Sequence, residues 1–518
     1  MQEVKGETLV EAREPNLVNT LSGKVSGLQI TRSSNGPAGS SKITLRGNNS
    51  LTGDNQPLIV VDGIPLNNFT GAINPTNGQL NNDYYNPARD MGNGLSDINP
   101  EDIESVSVLK GPTASALYGS RAGNGVIMIT TKSGKAQKGL GITVSSTLGI
   151  ENVFTGPKFQ NDFGQGNNNG FVNNSDLSWG PKADGQNVTS WNGQQVPLRT
   201  YDNVGNYIDQ GFSSNQSVSF QQQVNATSVY TSFNKLDDKS IIPGAELHRV
   251  NLLARTVSKF GKDDRWTVDT KVQYSNANAE NRPSSGANLD NVFSTLYLLP
   301  RSLDINQFSN SVDPNGKMIW YSPTSPQLNP YWAKDYNLNQ DVRDRYVMNG
   351  SLKYKFNSWL DAEVKAGADK FNTTIENKLY AGSPSPATGS YSLSKETFTE
   401  TNFSALISAH QDNVFDKLGG AFSVGGNLMS QQDNILGGNS GQLVVPSLFS
   451  LNNGVNPATV SQVFTRKKIN SVYGTAQVNW DGYLFLDGTF RNDWSSTLSS
   501  ANRSYFYPSV SLSYVISD

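Results

Sequence analysis

From about residue 140 to its end, the sequence alternates apolar and polar residues with a period of two. In the segment 359–369 (WLDAEVKAGAD), Leu360, Ala362 and Val364 alternate with charged residues, and the segment 504–517 repeats the pattern with serines. This alternation predicts β-strands with one apolar face and one polar face. We count about twelve such strands, centred near residues 146, 219, 231, 252, 271, 349, 365, 404, 426, 473, 487 and 511. A chain patterned in this way folds into a large antiparallel sheet.

The connections between these strands alternate in length. Short links such as VNAT, FGKDD, FNS and DG follow the even-numbered strands. Longer segments follow the odd-numbered strands, at 152–214, 238–244, 277–341, 373–394, 433–463 and 495–503. One end of the sheet therefore carries long loops and the other tight turns, as in outer-membrane β-barrels. A large soluble sandwich or solenoid of strands remains the alternative.

Aromatic residues near the predicted strand ends fit the interfacial girdle of such a barrel. They are Tyr346, Tyr354, Trp359, Tyr483, Trp494, Tyr505 and Tyr507. No apolar run reaches the roughly 18 residues of a transmembrane helix. The first residues, MQEVKGETLVEAREPN, lack the apolar core of a signal peptide. If the protein crosses a membrane, we expect it to do so with strands.

The composition excludes several kinds of site. The chain has no cysteine, which excludes disulfides and thiolate metal sites, and its two histidines, His248 and His410, have no ligand spacing. With 41 Lys and Arg against 44 Asp and Glu, the net charge of −3 argues against a nucleic-acid partner recognised through its phosphates. We expect no metal, no cofactor and no catalytic residue, and an importer, the function predicted below, would not be an enzyme.

Residues 1–139 have a different pattern, with the short mixed elements ITLRG, PLIVVDGIPL, IESVSVLK and GVIMITTKSG. Residues 59–61 form a buried strand that ends at Asp62-Gly63, a turn dipeptide. Small residues and four glycines fill the connection 111–125 between two further strands. We predict a mainly β chain of two parts, a small α+β domain at 1–139 and antiparallel barrel strands at 140–518.

Two long stretches of the first part resemble the plug domain of the SusC/RagA family of TonB-dependent outer-membrane transporters. One runs from LVNTLSGKV to PLIVVDGIPL and the other from INPEDIESV to MITTKSG. In the second part, RNDWSSTL and SYFYPSVSLSYVISD resemble a barrel strand, its loop and the next strand. The positions that match the family's plug motifs are Arg46, Gly47, Asp62, Gly63, Lys110, Gly111, Tyr118, Gly119 and Gly125.

The resemblance implies a Gram-negative outer-membrane barrel of about 22 strands filled by its plug. It also implies energy from TonB, a surface lipoprotein of the SusD type as a lid, contact with outer-membrane lipid, and oligosaccharide or oligopeptide cargo. Because only about twelve strands follow the plug, we expect an internal piece of a longer receptor, in which TonB acts through a segment missing from this chain. About twelve strands enclose too little space for the plug, so we expect an open half-barrel with unpaired edges at its first and last strands.

Arg46 and Arg121 are the predicted contacts between plug and barrel wall. A plug in a polar lumen needs polar contacts, and guanidinium groups form bidentate pairs with carboxylates that can hold and release. The resemblance implies such arginine locks, with Arg46 the closer match to the family motif. A solvated arginine is the alternative for Arg121, and the carboxylate partners stay open.

Other segments give weaker indications. The glycines at 119–125 lack the Lys-Ser/Thr ending of a phosphate-binding loop, so we interpret them as part of a tight strand connection. The long loops 152–214 and 277–341 are rich in Asn, Gly, Gln, Trp and Tyr, which suits sugar rings but names no substrate residue. The apolar run NLDNVFSTLYLLP predicts a helical packing segment within the second loop.

The predicted function is TonB-dependent import of an oligomeric nutrient, a glycan before a peptide, with the plug as the gate. A passive adhesin or sensor built on a β-barrel is a second hypothesis, and a soluble carbohydrate-binding β protein is a third. Net uptake separates the first hypothesis from the second, and extraction from outer membranes only with detergent excludes the third.

Overall fold

The computed structural model describes residues 2–11, 14, 16–33, 35–36, 39–51, 55–68, 85–110, 118–323, 325–415 and 417–516. They form a small mixed domain at the start of the chain and a large antiparallel sheet after it. We call the small domain the plug and the large sheet the barrel sheet. The predicted domain boundary between residues 139 and 140 falls between the last strand of the plug and the first strand of the barrel sheet.

The plug is built on a five-stranded sheet in the order β1-β6-β7-β4-β5, beside a separate β2–β3 hairpin. Its strands are β1 (Gln2–Lys5), β2 (Leu28–Arg32), β3 (Ser41–Leu45), β4 (Leu58–Val61), β5 (Ile64–Leu66), β6 (Ile103–Leu109) and β7 (Val126–Thr131). Short helices cover the sheet at Gly6–Leu9, Leu17–Thr20, Gly94–Asp97, Pro100–Asp102 and Gly119–Ala122, the last three being 3-10 helices. Apolar residues of the strands and of the first two helices form one buried core.

A tight turn joins β4 to β5, as the Asp62-Gly63 dipeptide predicts. Asp62 and Gly63 both have positive φ angles, +49° and +84°, which the two central residues of a type I′ hairpin turn require. All four residues of β4 are buried, because β7 pairs with it in parallel on one side and β5 covers its other side. The turn therefore joins a buried strand to the edge strand of the plug sheet.

The barrel sheet has twelve strands, each paired antiparallel with the next. They are β8 (Ile142–Glu151), β13 (Gly211–Val224), β14 (Thr227–Lys239), β15 (Glu246–Phe260), β16 (Trp266–Glu280), β17 (Asn337–Lys355), β18 (Leu360–Leu379), β19 (Ser390–Phe415), β20 (Leu418–Gln442), β21 (Thr459–Trp480), β22 (Leu484–Ser495) and β23 (Ser504–Tyr514). Every predicted strand centre falls within one of these strands. Within the described residues β8 and β23 are unpaired edges, so the sheet is open, as predicted.

The two faces of the barrel sheet differ in polarity. In β16, Lys271 is wholly buried towards the plug, whereas the next residue, Val272, is 51% exposed on the opposite face. Ser471 and Val472 of β21 repeat this pair of environments. Polar side chains therefore face the plug, and apolar side chains cover the face that points away from it.

The predicted girdle is wrong for Tyr505 and Tyr507. They lie directly across from the buried Asp493 and Arg491 of β22, on the side of the sheet that faces the plug. The period of two explains this, since it is Phe506 between them that lies on the outer face, where it is 61% exposed.

The first and third long connections of the barrel sheet pack together. The first contains the short strands β9 (Gly166–Asn167), β10 (Gly170–Phe171), β11 (Asn187–Thr189) and β12 (Gln195–Pro197) and a helix, Asn203–Tyr207. The other contains the helices Val292–Leu298 and Pro330–Tyr336 and a 3-10 helix, Ile305–Phe308, so the predicted helical segment is confirmed. Tyr207, Leu296 and Phe308 belong to one apolar cluster that joins the two connections. Two further 3-10 helices lie at Lys262–Asp264 and Leu451–Asn453.

Strands β17 to β21 are 19 to 26 residues long. About 9–11 residues suffice for a tilted strand to cross the hydrocarbon core of a bilayer, so these strands extend well beyond such a layer. They reach into segments that the sequence assigns to loops, with β19 beginning at Ser390. In the part of the chain that the structure describes, no helix is long and apolar enough to cross a membrane.

Candidate functional site at the contact between plug and barrel sheet

Asp62, in the turn between β4 and β5, is the first anchor of the plug. Its Oδ1 accepts hydrogen bonds from Arg255 Nη1 at 3.0 Å and from the Thr131 backbone N–H at 2.9 Å. Its Oδ2 accepts from Lys271 Nζ at 2.5 Å and from Thr131 Oγ1 at 2.8 Å. Burial alone would raise the pKa of Asp62, but the charges of Lys271 and Arg255 hold it below its ordinary value. The carboxylate therefore stays ionised between two cations of the barrel sheet.

Asp97, at the end of the 3-10 helix Gly94–Asp97, is the second anchor. Arg343 donates to both of its oxygens, from Nη2 at 2.9 Å and from Nε at 3.2 Å, and Arg345 Nη1 donates at 3.2 Å. All three side chains are buried. Burial would raise the pKa of Asp97, but the two guanidinium groups lower it. We call the two anchors, Asp62 and Asp97 with their four cations, the clamp.

Backbone carbonyl groups of the plug complete the clamp. Arg343 Nη1 donates to the Met91 carbonyl at 3.1 Å, and Arg345 donates to the carbonyl groups of Gly94 and Asn67 at 3.1 and 2.7 Å. A Cβ atom at Gly94 would lie 2.5 Å from Arg345 Nη1 and 2.2 Å from the Asn67 carbonyl oxygen. Only glycine therefore lets the guanidinium group come this close.

A third buried plug carboxylate, Asp102, has no cation beside it in hydrogen-bond contact within the described residues. Its Oδ1 accepts from the hydroxyl of Tyr230 on β14 at 2.8 Å. Burial raises the pKa of Asp102 because this hydroxyl and the other hydrogen bonds around it do not offset the loss of water. Arg249 of β15 donates to the nearby Ser96 carbonyl, and Asn251 donates to the Asp97 carbonyl at 2.6 Å.

Arg121 contacts a different group of strands of the barrel sheet, further along the strand order than β14 to β17. Its Nη1 and Nη2 donate to the two carboxylate oxygens of Glu400 on β19, at 2.7 and 3.1 Å. The Arg121 side chain is 21% exposed, whereas Glu400 is buried and also accepts from Asn402 Nδ2 at 3.0 Å. This is a bidentate pair of the kind expected for Arg121; that it acts as a lock stays a prediction.

Arg46 lies elsewhere. Its side chain is exposed, its φ is +63°, and its backbone N–H donates to the Gly27 carbonyl at 3.0 Å. Among the residues that the structure describes, it forms no ion pair. The structure does not bring Arg46 to the barrel sheet, and its role as a lock remains a prediction without a partner.

The other motif positions serve the plug in different ways. Lys110 Nζ donates to Gln2 Oε1 at 2.8 Å, within the plug, and Gly47 is exposed with a φ of +90°. A Cβ at Gly125 would lie 2.4 Å from Leu45 Cδ2, which makes this glycine a packing residue. Burial raises the pKa of Tyr118 to about 12. Gly111 lies outside the described residues.

Gly119 and Gly63 allow the plug to touch the barrel sheet. A Cβ at Gly119 would lie 2.1 Å from Asp493 Oδ2 on β22, and one at Gly63 would lie 2.9 Å from Lys365 Nζ on β18. These two motif glycines therefore contact the barrel wall directly, which the sequence did not predict.

The sequence analysis missed the clamp because it searched for plug arginines and barrel carboxylates, whereas the clamp has the opposite polarity. A signal was available. Arg343 and Arg345 are two residues apart in DVRDRY, and Lys271 lies on the polar face of RWTVDTKVQYS. Cations repeated on the inward face of a strand indicate an anionic partner inside the barrel. Within the described residues no cluster of three carboxylate or histidine side chains could hold a metal ion.

Residues 1–126 match the family model described as TonB-dependent Receptor Plug Domain. TonB-dependent receptor SusC of Bacteroides thetaiotaomicron is 26% identical over 546 residues, which cover 99% of this chain and 49% of that protein. Residues 1–126 thus carry a TonB-dependent receptor plug domain, and nearly the whole chain is similar to SusC. The clamp is therefore a contact between a domain that matches the TonB-dependent receptor plug and the barrel sheet.

Further comparisons agree with this assignment. A TonB-dependent receptor of Formosa agariphila is 24% identical over 522 residues, covering 96% of this chain and 47% of that protein. The structure titled as the RagAB peptide importer in the closed-closed state matches with a TM-score of 0.74 at 21% identity, over 98% of this chain and 56% of that one. At this identity the likeness shows the fold alone. The chain spans about half the length of the curated relatives that it matches.

Proposed function

We propose that this chain supplies the plug and the first half of the barrel of an outer-membrane importer driven by TonB. The observation that carries the proposal is the clamp, in which buried charges hold the plug to the wall. Charged groups recover hydration when they separate, so a pulled plug can leave and return without exposing a large apolar interface. A permanent closure would be expected to use apolar packing instead.

The outer face of the barrel sheet supports a place in the outer membrane. Apolar residues such as Val272, Leu428 and Val472 are half exposed there, on the side away from the plug, and would contact lipid. The long extensions of β17 to β21 would then stand above the outer leaflet. We expect a SusD-like lipoprotein to cover this end, and TonB to act through a segment outside this chain.

A cavity at the long-loop end supports a neutral oligomeric cargo. Its volume is about 170 Å³, and the amide side chains of Asn86, Asn288, Asn339, Gln340 and Asn377 contribute to its lining. Its charged groups are already paired, Arg89 with Asp290 at 2.5 Å and Arg282 with Asp341. Burial would raise the pKa of Asp290, but Arg89 lowers it, so the pair stays ionised. Amides beside neutralised charges suit sugar hydroxyl groups, and we place glycan before peptide as cargo.

Uptake by the full-length gene product tests this function. Cells that express it should accumulate a labelled oligosaccharide, and accumulation should stop when TonB is deleted or the proton gradient is collapsed. Binding that persists without accumulation under all conditions would instead indicate a passive adhesin or sensor. Extraction from membranes without detergent would indicate a soluble carbohydrate-binding protein.

The cavity is tested by Asn377→Ala, with Asn315→Ala as the matched control. Asn377 lines the cavity and accepts from Arg89 Nη1 at 3.0 Å, whereas Asn315 is exposed in a turn of the same group of loops. Loss of one hydrogen bond to the cargo should weaken cargo binding by about tenfold, or about 1.4 kcal/mol, in the first variant only. Equal affinity in both variants would remove the cavity from the binding site.

A further inference from the structure

Three exposed cations lie on the outer face of the barrel sheet, away from the plug. They are Lys370 of β18 and Arg466 and Lys468 of β21. Each lies an even number of residues from an exposed valine of its own strand, Val364 or Val472, and therefore points to the same side of the sheet. Among the residues that the structure describes, none of the three forms an ion pair. They are thus available to an anionic group outside the protein.

The cations lie at the upper edge of the apolar band. Lys370 is ten residues along β18 from its first residue, Leu360, at the short-turn end. At about 3.4 Å per residue and a tilt of about 45°, these residues span a height of about 24 Å, close to the roughly 25 Å of an outer-membrane apolar band. Tyr346 of β17, opposite Lys370, and Tyr274, 5.0 Å away between ring centres, supply the aromatic residues expected at this edge. The cations are therefore level with the lipid headgroups of the outer leaflet.

Neutral polar residues lie between the cations. In register, Lys370 lies opposite Thr399 of β19, which lies opposite Gln432 of β20, which in turn lies opposite Arg466. Three strand spacings of about 4.8 Å place the backbones of Lys370 and Arg466 about 14 Å apart. This arrangement fits a wide headgroup that carries an anionic group at each end and hydroxyl groups between them. A single small anion would need cations that converge.

The neighbours of the cations leave the patch positively charged. The Arg466 guanidinium group lies over the ring of Phe464, 4.7 Å from its centre, and Phe464 is half exposed. Asp344, a carboxylate on the same face of β17, already accepts from the Tyr274 hydroxyl at 2.6 Å and from Asn276 Nδ2 at 2.9 Å. It therefore does not neutralise Lys370 through a direct contact.

An open groove of about 870 Å³ lies below the cations on the same face. Val364, Phe403, Leu428 and Val472 line it, and each is between 45% and 57% exposed. Phe403 is four residues from Thr399 towards the short-turn end of β19, which places the groove about 10 Å below the row of cations. An apolar groove that opens towards lipid suits an acyl chain. The cations and the groove thus follow the order of headgroup and chain in a lipid of the outer leaflet.

We propose that the three cations and the groove bind one anionic lipid of the outer leaflet, with phosphate groups on a sugar headgroup. The inference rests on the proposed function for the place of the chain in the outer membrane. Lys370 at one end, and Arg466 with Lys468 at the other, would each bind a phosphate group. Thr399 and Gln432 would form hydrogen bonds with the sugar hydroxyl groups between them. An acyl chain of the same lipid would occupy the groove.

Titration of the full-length receptor in detergent with lipid A, which carries two phosphate groups on a sugar headgroup, tests the cations. Native mass spectrometry measures the affinity. It should fall about fivefold in Arg466→Gln and about a hundredfold when Lys370→Gln and Lys468→Gln are added, because each cation near a lipid headgroup contributes about a factor of five. Lys262→Gln is the matched control, since Lys262 is also exposed but lies in a short turn at the opposite end of the sheet. Its affinity should stay within about twofold of the wild type.

A second pair of variants tests the groove. Val472→Trp fills it, whereas Val478→Trp places the same side chain on the same face of the same strand, outside the groove. The two valines are equally exposed, at 45% and 46%. Lipid A should bind about fivefold more weakly to the first variant only, because part of its acyl chain loses its place. Equal affinity in both would remove the groove from the site.

Each outcome decides the inference. Equal binding of lipid A and of lipid A without its phosphate groups, or unchanged affinity in every cation variant, would overturn it. Inorganic phosphate should compete no better than sodium chloride at equal ionic strength, and better competition would indicate a site for a free anion instead. Should the triple variant fail to fold, its three single variants decide. TonB-dependent uptake without lipid A binding would overturn this inference alone, and lipid A binding without any uptake would overturn the proposed function alone.

Discussion

The plug contacts two groups of strands on the inner face of the barrel sheet in different ways. We call β14 to β17 the first side and β19 to β23 the second side. Towards β14 to β17 the plug presents three buried carboxylates, which bind four buried cations and a tyrosine hydroxyl of the sheet. Towards β19 to β23 it presents Arg121, which is partly exposed, and a glycine that lies against an existing ion pair of β22. A cavity of about 250 Å³ lies on this second side.

The two sides differ in how much free energy it costs to separate their ion pairs, because their charged groups are buried to different degrees. Removing one partner of a fully buried ion pair leaves a charge without water, at a cost of about 3–5 kcal/mol. Arg121 is partly hydrated already, and the buried Glu400 keeps the hydrogen bond from Asn402 when Arg121 leaves, so the release of this pair costs less. The first side is therefore suited to hold the plug, and the second is suited to yield.

Lowering the pH should have the largest effect on the contact between the plug and β14 to β17, because it protonates both anchors, Asp62 and Asp97. The pKa values of Asp62 and Asp97 lie below the ordinary value of 3.8. A carboxylate with a lowered pKa stabilises the docked plug at every pH above 3.8, and this contribution is lost as the pH falls through its own pKa. We expect the plug to stay docked at neutral pH and to be released only as the pH falls below 3.8, through the lowered pKa values of the two anchors. Protease cleavage of β6 in the full-length receptor measures this release.

The contribution of Asp102 to docking depends on pH in the opposite direction. Because its pKa is raised, it favours docking most when protonated, and its contribution decreases as the pH rises above 3.8. Asp102→Asn should remove this decrease and leave the acid release unchanged. A release centred near about pH 6 would contradict the clamp as its cause.

Asp97→Ala should have the next largest effect. It leaves Arg343 buried beside Arg345, so docking should weaken by about 3–5 kcal/mol, against about 1–3 kcal/mol for Arg121→Ala. Hydrogen exchange of the β6 backbone measures both. Lys135→Ala is the control, since its pair with Glu104 is exposed, at 66% and 40%, and should contribute about 0–1 kcal/mol. Equal effects of Asp97→Ala and Arg121→Ala would contradict the division into two sides.

Local sequence pattern predicted the strands well and the clamp not at all. The alternation of apolar and polar residues is a property of neighbours, so it placed all twelve strand centres, whereas the open edges were predicted from the strand count and the size of the plug. Asp62 reads locally as the first residue of a turn, which it is. Its second role depends on Lys271, which is 209 residues away in sequence and is brought to it only by the register of the barrel sheet.

Arg121 and Arg46 show the same limit from the other direction. Both arginines belong to stretches that resemble the family's plug, and the sequence could not tell which one reaches the wall. Glu400, the partner of Arg121, lies 279 residues away. Arg46 has a positive φ and an exposed side chain, which its local sequence, LRG, does not reveal.

Gly119→Ala should loosen the second side only. The new Cβ would lie 2.1 Å from Asp493 Oδ2, so either the Asp493 side chain, which is paired with Arg491, or the plug must shift. Gly23→Ala is a matched control, because Gly23 has nearly the same φ, +72° against +69°, but no atom within 4 Å of the new Cβ. Both variants share a backbone strain of about 1–2 kcal/mol, and the clash should add about 1–3 kcal/mol to Gly119→Ala alone. Thermal unfolding measures the sum, and equal losses would show that the glycine serves the turn and not the contact.

Arg46→Ala should have the smallest effect on plug docking. This result would remove Arg46 from the residues that could hold the plug to the barrel wall. The Arg46 side chain is exposed and forms no ion pair among the described residues, so docking should change by less than about 0.5 kcal/mol. The backbone carries its contact, through the N–H that donates to Gly27, and alanine keeps that group. Arg46→Gly should even stabilise the plug slightly, because glycine accepts the φ of +63° without a steric penalty. Hydrogen exchange in β6 and leakage of large antibiotics through the full-length receptor measure both variants. If Arg46→Ala loosened the plug as much as Arg121→Ala, Arg46 would have to bind a part of the barrel wall outside this chain, and the plug would be held on a third side.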